Sequence, residues 1–473
     1  MQIHFHGAAK NVTGSCHLIE CAGKRILLDC GLYQGAAHDD EDNEAKNFGF
    51  KPKNIDFLIL SHAHLDHCGR IPLLVKRGFR GRILCSSATR ELAKLVLLDS
   101  ARIQEEDAKY ENYKTAKRRK RFIPAQPLYD TVDALAALDY FVDIGRWERP
   151  YELAPGISVT LYDAGHILGS ACICLDLEEN GEKRRLLFSG DLGAGGRPIL
   201  SDPAPPPQAD IVVMETTYGN REHKSLPDSV EELYAVIRET IAGQGNVLIP
   251  SFALERSQEI LYFLREGVEQ GKLPRRLRVY LDSPMAISAT EIFKRHQECF
   301  DDAAWQVLMS GRDPFALPGL RITQGSAESM ALKQEKGAVI IAGSGMAVGG
   351  RIQHHLRYHL WKPETAVVFV GFAAKGTLAR AIIDGAEEVR IAQEQIAVNA
   401  HIHTIGGFSA HADRRELLAP APADRRETRL PRPRRRNRHA GLRRIAEGYR
   451  GGDAAAAQFA QAVGGARATN RPR

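Results

Sequence analysis

Short apolar runs separated by polar, glycine-containing turns mark the first part of the chain. Residues 3–5, 16–20 and 25–29 have the length and spacing of β-strands, and their close succession predicts an antiparallel meander. A fourth run, residues 55–60, is mostly apolar, which is typical of a buried strand. Helical periodicity follows at residues 88–116. This part of the chain is therefore expected to mix strands and helices.

Apolar runs of strand length return after residue 157, at residues 158–162, 172–177 and 186–188. From residue 210 onward, strands and helices alternate, which predicts a parallel sheet with covering helices. The predicted strands of this second part are residues 210–215, 246–250, 277–282, 338–342 and 366–371, and its predicted helices are residues 228–242, 255–269, 287–296, 350–361 and 376–384.

The length of 473 residues is too great for one ordinary hydrophobic core and predicts two domains. Four prolines at residues 201–208 indicate a linker. We therefore expect a first domain at residues 1–208, an inserted domain at 209–390 and a return to the first domain at 391–418.

The composition restricts the compartment and the partners. A net charge of +6 and a pI near 8.8 permit a polyanionic partner without requiring one. The eight cysteines lack paired zinc-finger spacing, and several lie in apolar runs, as expected of buried thiols in a reducing cytosol. The chain begins without a basic-then-apolar leader, and no apolar run approaches the roughly 18 residues that span a bilayer. We expect a soluble, cytoplasmic protein without a membrane partner.

The densest group of metal-ligand side chains follows the apolar run at residues 55–60. There the chain contains His62, His64, Asp66 and His67. Because strand side chains alternate with a period of two, His62 and His64 should point to one side, and the following turn can bring the other two beside them. Three imidazoles and a carboxylate suit zinc, and their number suggests room for two ions. An ordinary polar loop is the alternative, but it does not account for this spacing.

Two later strand ends carry residues of the same kind. His166 follows the strand predicted at residues 158–162, and Asp191 follows the strand at 186–188, each beside a glycine. Taken alone, His166 is equally well explained as a hydrogen-bonded loop histidine. Together with the first cluster, both residues are candidate ligands.

The motif His-x-His-x-Asp-His after an apolar strand resembles the signature of the metallo-β-lactamase fold. Later motifs resemble its β-CASP branch, whose members are mostly RNA nucleases, and the likeness extends over residues 1–418. It is greatest to the compact bacterial and archaeal ribonucleases related to the cleavage and polyadenylation specificity factor. The resemblance implies an α/β protein, an αββα sandwich with an inserted β-CASP domain.

The resemblance also implies a two-zinc site, with Mn²⁺ as the alternative metal. The implied ligands are His62, His64, Asp66, His67, His166 and Asp191. Asp191 would be the bridging carboxylate, which offsets the repulsion between two cations about 3.5–4 Å apart. Asp29 occupies the position of a conserved aspartate that braces the ligands in the family. Its alternative is a turn-forming aspartate before Gly31.

Two further residues match β-CASP motifs. Glu215 matches the first motif and His411 the second. In such enzymes the carboxylate holds the imidazole in its protonated form, and the imidazole gives its proton to the leaving oxygen. With Asp66 and Asp29, these residues make up the catalytic candidates.

Contacts with RNA are expected from two loops, a glycine-rich loop at residues 343–351 and the stretch at residues 251–256. The family uses the loop at residues 343–351 against the nucleic-acid backbone, and backbone amides at a helix start can bind a phosphate. The candidates are Ser251, Arg256, Ser344, Gly345, Gly349 and Arg351. Arg256 could equally be a surface cation, and the basic run at residues 117–121 is more often a solvated helix end than a phosphate contact.

The chain departs from the family after residue 418. Residues 419–473 are rich in Arg, Pro and Ala, and they lack the expected Leu-Val-His-Gly-Glu, whose histidine is the third β-CASP motif and the last ligand of the second metal. Codons permitted for residues 430–436, read one nucleotide later, encode Phe-Leu-Val-His-Gly-Glu. We therefore expect that this tail is translated out of frame. The alternative is a genuine Arg-rich tail that folds on RNA.

These observations predict a two-zinc ribonuclease that acts in RNA processing or decay, with a water attacking phosphorus and His411 protonating the leaving oxygen. The alternatives are a hydrolase of small esters or lactams, a nuclease acting on DNA and, if the tail is authentic, a catalytically weak RNA-binding pseudo-enzyme whose second metal site is incomplete. RNA is the expected partner, and a homodimer is left open.

Overall fold

The computed structural model describes residues 1–9, 12–34, 43, 48–116, 124–145, 147–418, 459–462 and 467–469. The chain divides into two compact units. Of the described residues, those within 1–195, 202–222 and 411–473 make up unit 1, and those within 196–201 and 223–410 make up unit 2.

Unit 1 contains two mixed sheets. The first has the order β21-β1-β2-β3-β4-β5-β6 and begins with the predicted antiparallel meander β1-β2-β3, after which β3 to β6 run parallel. Its strands are β1 (Gln2–Gly7), β2 (Cys16–Cys21), β3 (Lys24–Leu28), β4 (Phe57–Ile59), β5 (Arg82–Cys85), β6 (Phe141–Asp143) and β21 (Arg467–Thr469).

The second sheet has the order β20-β11-β10-β9-β8-β7. It is antiparallel except where β10 and β11 run parallel. Its strands are β7 (Tyr151–Ala154), β8 (Ile157–Asp163), β9 (Ala171–Glu179), β10 (Glu182–Phe188), β11 (Ile211–Met214) and β20 (Phe459–Ala462).

One hydrophobic core joins the two sheets of unit 1. It includes Ile19 and Ile59 from the first sheet and Ile173 and Phe188 from the second, all essentially buried. The two sheets therefore pack face to face, as expected for the predicted sandwich. The helices of unit 1 are Leu65–Cys68, Ile71–Lys76, Ser87–Ala116, Thr131–Leu138 and Arg414–Leu418, with a 3-10 turn at Pro52–Asn54.

Unit 2 is built around a parallel sheet of order β14-β13-β15-β12-β16-β19. The strands of this sheet are β12 (Val247–Pro250), β13 (Arg278–Asp282), β14 (Leu320–Ile322), β15 (Ala338–Ala342), β16 (Ala366–Phe369) and β19 (His401–Thr404). Strands β17 (Glu388–Ile391) and β18 (Glu394–Ala397) form a separate hairpin. Its helices are Leu226–Ala242, Arg256–Glu269, Pro284–Arg295, Asp302–Met309, Ser326–Ala331, Arg351–His359 and Leu378–Ile383, with 3-10 turns at Gln297–Cys299, Leu332–Gln334 and Gly406–Phe408.

Local sequence signals explain where many of these helices begin. A side-chain oxygen just before the first turn accepts a backbone N–H of that turn and replaces a missing intrahelical bond. The residues that cap in this way are Asp130, Ser225, Ser283, Asp301 and Thr377.

The predicted domain boundaries differ from those of the structure at both ends of the insertion. The strand expected to open the second domain is β11, which pairs with β10 in the second sheet of unit 1. The stretch expected to return to the first domain contains β19, which pairs with β16 in unit 2. The two compact units divide near residues 222 and 410, whereas the sequence predicts domain boundaries at residues 208 and 390. An apolar strand pattern does not reveal which sheet the strand joins.

Among the described residues, none of the helices has the length and apolar character that crossing a bilayer requires.

Candidate metal centre

The loop after β4 presents the histidine motif in unit 1. The Leu60 N–H bonds to the Leu84 carbonyl at 2.9 Å and so continues the sheet for one residue beyond β4. The chain then turns into the short helix Leu65–Cys68, in which the His67 N–H bonds to the His64 carbonyl at 2.9 Å. The motif is therefore held by a strand on one side and a helical turn on the other.

Four side chains bring one potential ligand atom each to a common point, with these atoms all within 4.8 Å of one another. They are His62, His64, His166 and Asp191. The Nδ1 atom of His64 lies 3.1 Å from Nε2 of His62 and 3.3 Å from Nε2 of His166. Ligand atoms around a tetrahedral zinc ion with Zn–N distances of about 2.0–2.1 Å are separated by about 3.3 Å. This donor set therefore fits a zinc-sized ion.

Burial keeps two histidines of this group neutral. It lowers the pKa of His62 well below its usual value and the pKa of His64 to about 4. Because the neutral imidazole is the form that binds a metal, these side chains suit a cation near neutral pH.

The carboxylate of Asp191 lies between this group and a second one. Its Oδ2 is 3.5 Å from Nε2 of both His62 and His166, whereas its Oδ1 is 3.3 Å from Nε2 of His67. Asp66 Oδ2 is 3.9 Å from the same His67 atom. One carboxylate thus reaches two clusters of ligand-type atoms, as the bridging role requires.

Asp29 supports His67 from behind. Its Oδ2 lies 2.7 Å from His67 Nδ1 and accepts hydrogen bonds from Ser15 Oγ at 3.0 Å and Ser61 Oγ at 2.9 Å, while its Oδ1 accepts the Ser61 N–H at 2.8 Å. The side chain is fully buried. Asp29 therefore fixes the ring of His67 with Nε2 directed towards Asp191, rather than serving only in the turn before Gly31.

The two serines were not predicted from the sequence. Ser61 directly precedes the histidine motif, and that adjacency is the one sequence signal that could have drawn attention to it. Ser15 gives no comparable signal.

A tight loop after β8 places His166. Ser170 Oγ accepts the N–H groups of His166 and Ile167 at 3.0 and 3.2 Å, and the Gly193 N–H bonds to the Ala164 carbonyl at 2.8 Å. A Cβ at Gly193 would lie 1.8 Å from the Gly165 carbonyl oxygen, so only glycine allows this approach. The loops that carry His166 and Asp191 are therefore packed directly against each other.

Glu215 and His411 are adjacent, although they are far apart in sequence. His411 Nδ1 lies 3.1 Å from Oε2 and 3.3 Å from Oε1 of Glu215, which is buried at the end of β11 and also accepts the Leu192 N–H. Burial would lower the pKa of His411, but the carboxylates of Glu215, Asp191 and Asp66, with Glu215 foremost, together raise it to about 9. The His411 Nδ1 atom is 4.0 Å from Asp191 Oδ2. A protonated imidazole therefore stands beside the candidate ligands.

The predicted RNA-contact residues lie in unit 2, where Ser251 and Arg256 are buried. Ser251 Oγ lies 3.1 Å from Ser257 Oγ and donates to the Phe252 carbonyl at 3.2 Å. The Arg256 guanidinium forms an ion pair with Glu259 and lies over the Phe408 ring, 5.9 Å from its centroid. The alternative of Arg256 as a surface cation is therefore wrong. Whether either side chain touches RNA stays a prediction.

The glycine-rich loop closes on itself between β15 and the helix Arg351–His359. The Ser344 N–H bonds to the Gly349 carbonyl at 3.2 Å, and the Ile352 N–H bonds to the Gly343 carbonyl at 3.0 Å. Gly350 has a φ of +74°, a conformation that suits glycine.

Arg351 anchors this loop from within unit 2. Its NH1 donates to Asp282 Oδ1 at 2.6 Å and to the Thr323 carbonyl at 2.9 Å, and its NH2 donates to the Gln324 carbonyl at 2.7 Å. The buried Asp282 also accepts hydrogen bonds from Thr323 and Ser329 and lies 2.6 Å from His355 Nε2. The sequence interpretation missed this cluster. The contact of Arg351 with phosphate stays a prediction, as it does for Gly345 and Gly349.

The basic run at residues 117–121 lies outside the described residues, as does most of the tail after residue 418. The structure therefore does not test the interpretations of either segment.

The fold and site agree with comparisons to protein families. Residues 10–238 match the metallo-beta-lactamase superfamily, residues 257–382 match the Beta-Casp domain, and residues 395–419 match the Zn-dependent metallo-hydrolase RNA specificity domain. The chain belongs to the metallo-β-lactamase superfamily, in its β-CASP branch. The predicted family and fold class are thereby confirmed.

Among curated proteins, the chain is similar to Ribonuclease TTHA0252 of Thermus thermophilus, with 39% identity over 422 residues that cover 88% of this chain and 90% of the relative. It is also similar to Transcription termination factor FttA of Methanosarcina mazei, with 33% identity over 87% of this chain. The matched part of the archaeal factor is 63% of its length. An FttA of Methanocaldococcus jannaschii matches at 32% identity over 88% of this chain and 64% of its own length.

Proposed function

We propose that this protein is a ribonuclease that hydrolyses RNA phosphodiester bonds with two divalent ions, zinc in the first instance, in cytoplasmic RNA processing or decay. The observation that carries the proposal is the position of Asp191, whose two oxygens face two separate clusters of ligand-type side chains. The relative named as a ribonuclease supports RNA as the substrate. The eight cysteines are free and buried, which fits a reducing compartment.

The donor chemistry divides between two ions. His62, His64 and His166 with Asp191 would hold one ion, and Asp66 and His67 with Asp191 would hold the other. When bound, such ions supply Lewis acidity towards the phosphoryl oxygens and lower the pKa of a water at the site. Asp29 keeps the ring of His67 oriented for this task.

His411 supplies the proton for the leaving oxygen. Glu215 faces Nδ1 of the ring and stabilises the imidazolium form, so Nε2 carries a proton that can be transferred. A leaving alkoxide is strongly basic, and its protonation removes the charge that would otherwise develop on it.

End-labelled RNA and metal analysis test this proposal. We expect Asp191→Asn to lower the cleavage rate by at least about a thousandfold, because it weakens both ion sites at once, while RNA affinity changes little. Asp176→Asn is the matched control, because Asp176 lies in the second sheet of unit 1 and forms a half-exposed ion pair with Arg185 there. Cleavage that survives in the Asp191 variant would refute the two-ion assignment.

A second candidate function is an RNA-binding protein with an incomplete second metal site. One observation favours it: the match to the RNA specificity domain ends at residue 419, where the Arg-rich tail begins. Zinc content per chain separates the two candidates. Two ions support the ribonuclease, whereas one ion together with RNA binding and no cleavage, in a chain whose reading frame after residue 418 has been confirmed by sequencing, supports the second candidate.

A further inference from the structure

Two phenylalanines of unit 2 are exposed on loops that follow neighbouring strands. Phe252 is 38% exposed and Phe372 is 56% exposed, and no other phenylalanine among the described residues is as exposed. Phe252 follows β12, and Phe372 follows β16, its parallel neighbour in the sheet. Both side chains therefore lie at the carboxyl edge of a parallel sheet, where α/β proteins commonly bind ligands.

The ring of Phe252 is held against two glycines from adjacent loops. A Cβ added to Gly345, in the loop after β15, would lie 2.7 Å from two carbon atoms of this ring. A Cβ added to Gly371 would lie 3.4 Å from the same edge of the ring. Three neighbouring loops thus enclose one edge of Phe252 and leave the rest of its exposed surface open.

Hydrogen bonds also fix the backbone of this phenylalanine. The Phe252 carbonyl accepts Ser257 Oγ at 2.8 Å, Ser251 Oγ at 3.2 Å and the Ser257 N–H at 3.2 Å. An exposed aromatic ring on such a rigid support loses little conformational entropy when it binds a planar partner.

A cation accompanies the second ring. Lys375 lies three residues after Phe372 in the same loop and is exposed, and no ion pair of Lys375 is found within the part of the chain that the structure describes. This loop is tied to the glycine-rich loop by the Ala379 N–H, which bonds to the Met346 carbonyl at 3.2 Å. Aromatic faces next to a basic side chain are the usual surface for single-stranded nucleic acid.

We propose that Phe252 and Phe372 stack on bases of single-stranded RNA and that Lys375 contacts the backbone between them. The proposal deepens the ribonuclease assignment and rests on it. Because every base has a π-face, this surface would bind RNA without sequence specificity. Unpaired RNA would therefore be preferred over duplex, whose bases are stacked on one another.

Binding of labelled oligouridylate, measured by fluorescence anisotropy on the full metal-containing chain with cleavage-resistant phosphorothioate linkages, tests the proposal. We expect Phe372→Ala and Phe252→Leu each to weaken binding about five- to hundredfold. Phe252→Leu keeps an apolar side chain against Gly345 and Gly371, so a loss of affinity in this variant is not due to misfolding. Trp305→Ala is the matched control, since Trp305 is a 37% exposed aromatic residue of unit 2 that lies in a helix, Asp302–Met309, rather than in these loops.

An abasic oligonucleotide of the same length separates stacking from backbone contact. On this probe the phenylalanine variants should bind as the wild type does, because no base is present to be lost. Lys375→Gln should instead weaken binding of both probes and reduce the salt dependence by about one counterion.

The outcomes distinguish this proposal from the one it rests on. If the wild type cleaves and binds RNA but the phenylalanine variants bind oligouridylate equally well, or lose equal affinity for the abasic probe, the stacking proposal is overturned and the ribonuclease assignment stands. A wild type with neither affinity for RNA nor cleavage would overturn both.

Discussion

At the scale of single residues, the site depends on side chains that orient other side chains. Asp29 illustrates this, because it contacts His67 and two serines but none of the other predicted ligands in the hydrogen-bond network described above. Its carboxylate accepts four hydrogen bonds from these three residues, and the side-chain amide of an asparagine in the same place would turn an N–H group towards some of the donors.

Asp29→Asn should therefore weaken metal binding about 10- to 100-fold, the usual cost of losing the group that orients a ligating histidine. Competition with a chromophoric chelator measures the affinity. Excess zinc should restore cleavage in this variant but not in Asp191→Asn, because only the latter loses a ligand. Failure of added metal to rescue Asp29→Asn would contradict a purely positioning role.

The sequence predicted the histidines and carboxylates of this site better than their supports. His62 and His64 stand out because ligand-type residues rarely occur at such spacing. Ser15 and Ser61 do not, since a serine acquires a role only from the carboxylate it faces, and that pairing is made by the fold. The structure brings the six predicted ligands together, and their coordination of metal remains a prediction.

At the scale of elements, the packing of the loops in unit 2 depends on the positions of their glycines. Gly345 and Gly349 are in the same loop, but only the first faces a neighbour. Nothing lies within 4 Å of a Cβ at Gly349, whereas a Cβ at Gly345 would press on the Phe252 ring at 2.7 Å.

Gly345→Ala should accordingly destabilise unit 2 by about 1–3 kcal/mol, the usual cost of overpacking, while Gly349→Ala should change the free energy of unfolding by less than about 0.5 kcal/mol. Urea unfolding followed by tryptophan fluorescence measures both. Equal stability of the two variants would show that the ring of Phe252 moves aside without cost.

The elements themselves were largely predictable, and their partners were not. The strand at Ala338–Ala342 was predicted to the residue, and the helix Leu226–Ala242 to within two residues. The short β14 and the β17-β18 hairpin were missed, because three or four residues hold too little periodicity to signal a strand. The pairing of β11 with β10 and of β19 with β16 could not be predicted, because sheet membership is decided by long-range pairing.

At the scale of the whole molecule, the main question is the reading frame of the tail. We propose that residues from about 419 onward are translated out of frame. The match to the RNA specificity domain ends at that residue, and codons permitted for residues 430–436, read one nucleotide later, encode the expected histidine motif. The histidine would complete the ligands of the second ion.

Sequencing codons 415–435 from independent isolates is the direct test, and expression of the chain with the restored frame is the functional one. We expect the restored chain to bind two zinc ions and to cleave RNA at least about a hundredfold faster than the present chain, because a second ion stabilises charge in the transition state. An uninterrupted frame in every isolate, with equal activity of both chains, would show that the Arg-rich tail is genuine.

The parallel order of β15, β12 and β16 has a consequence for how such a protein can diverge. The connections that follow these three strands lie at the same edge of the sheet, although they are far apart in sequence. The hydrogen bonds between the strands do not involve these connections. Insertions or exchanges in these connections leave the hydrogen-bonded scaffold intact. Small changes at the rim of unit 2 can thus accumulate without disturbing its sheet, while the histidine cluster of unit 1 stays as it is.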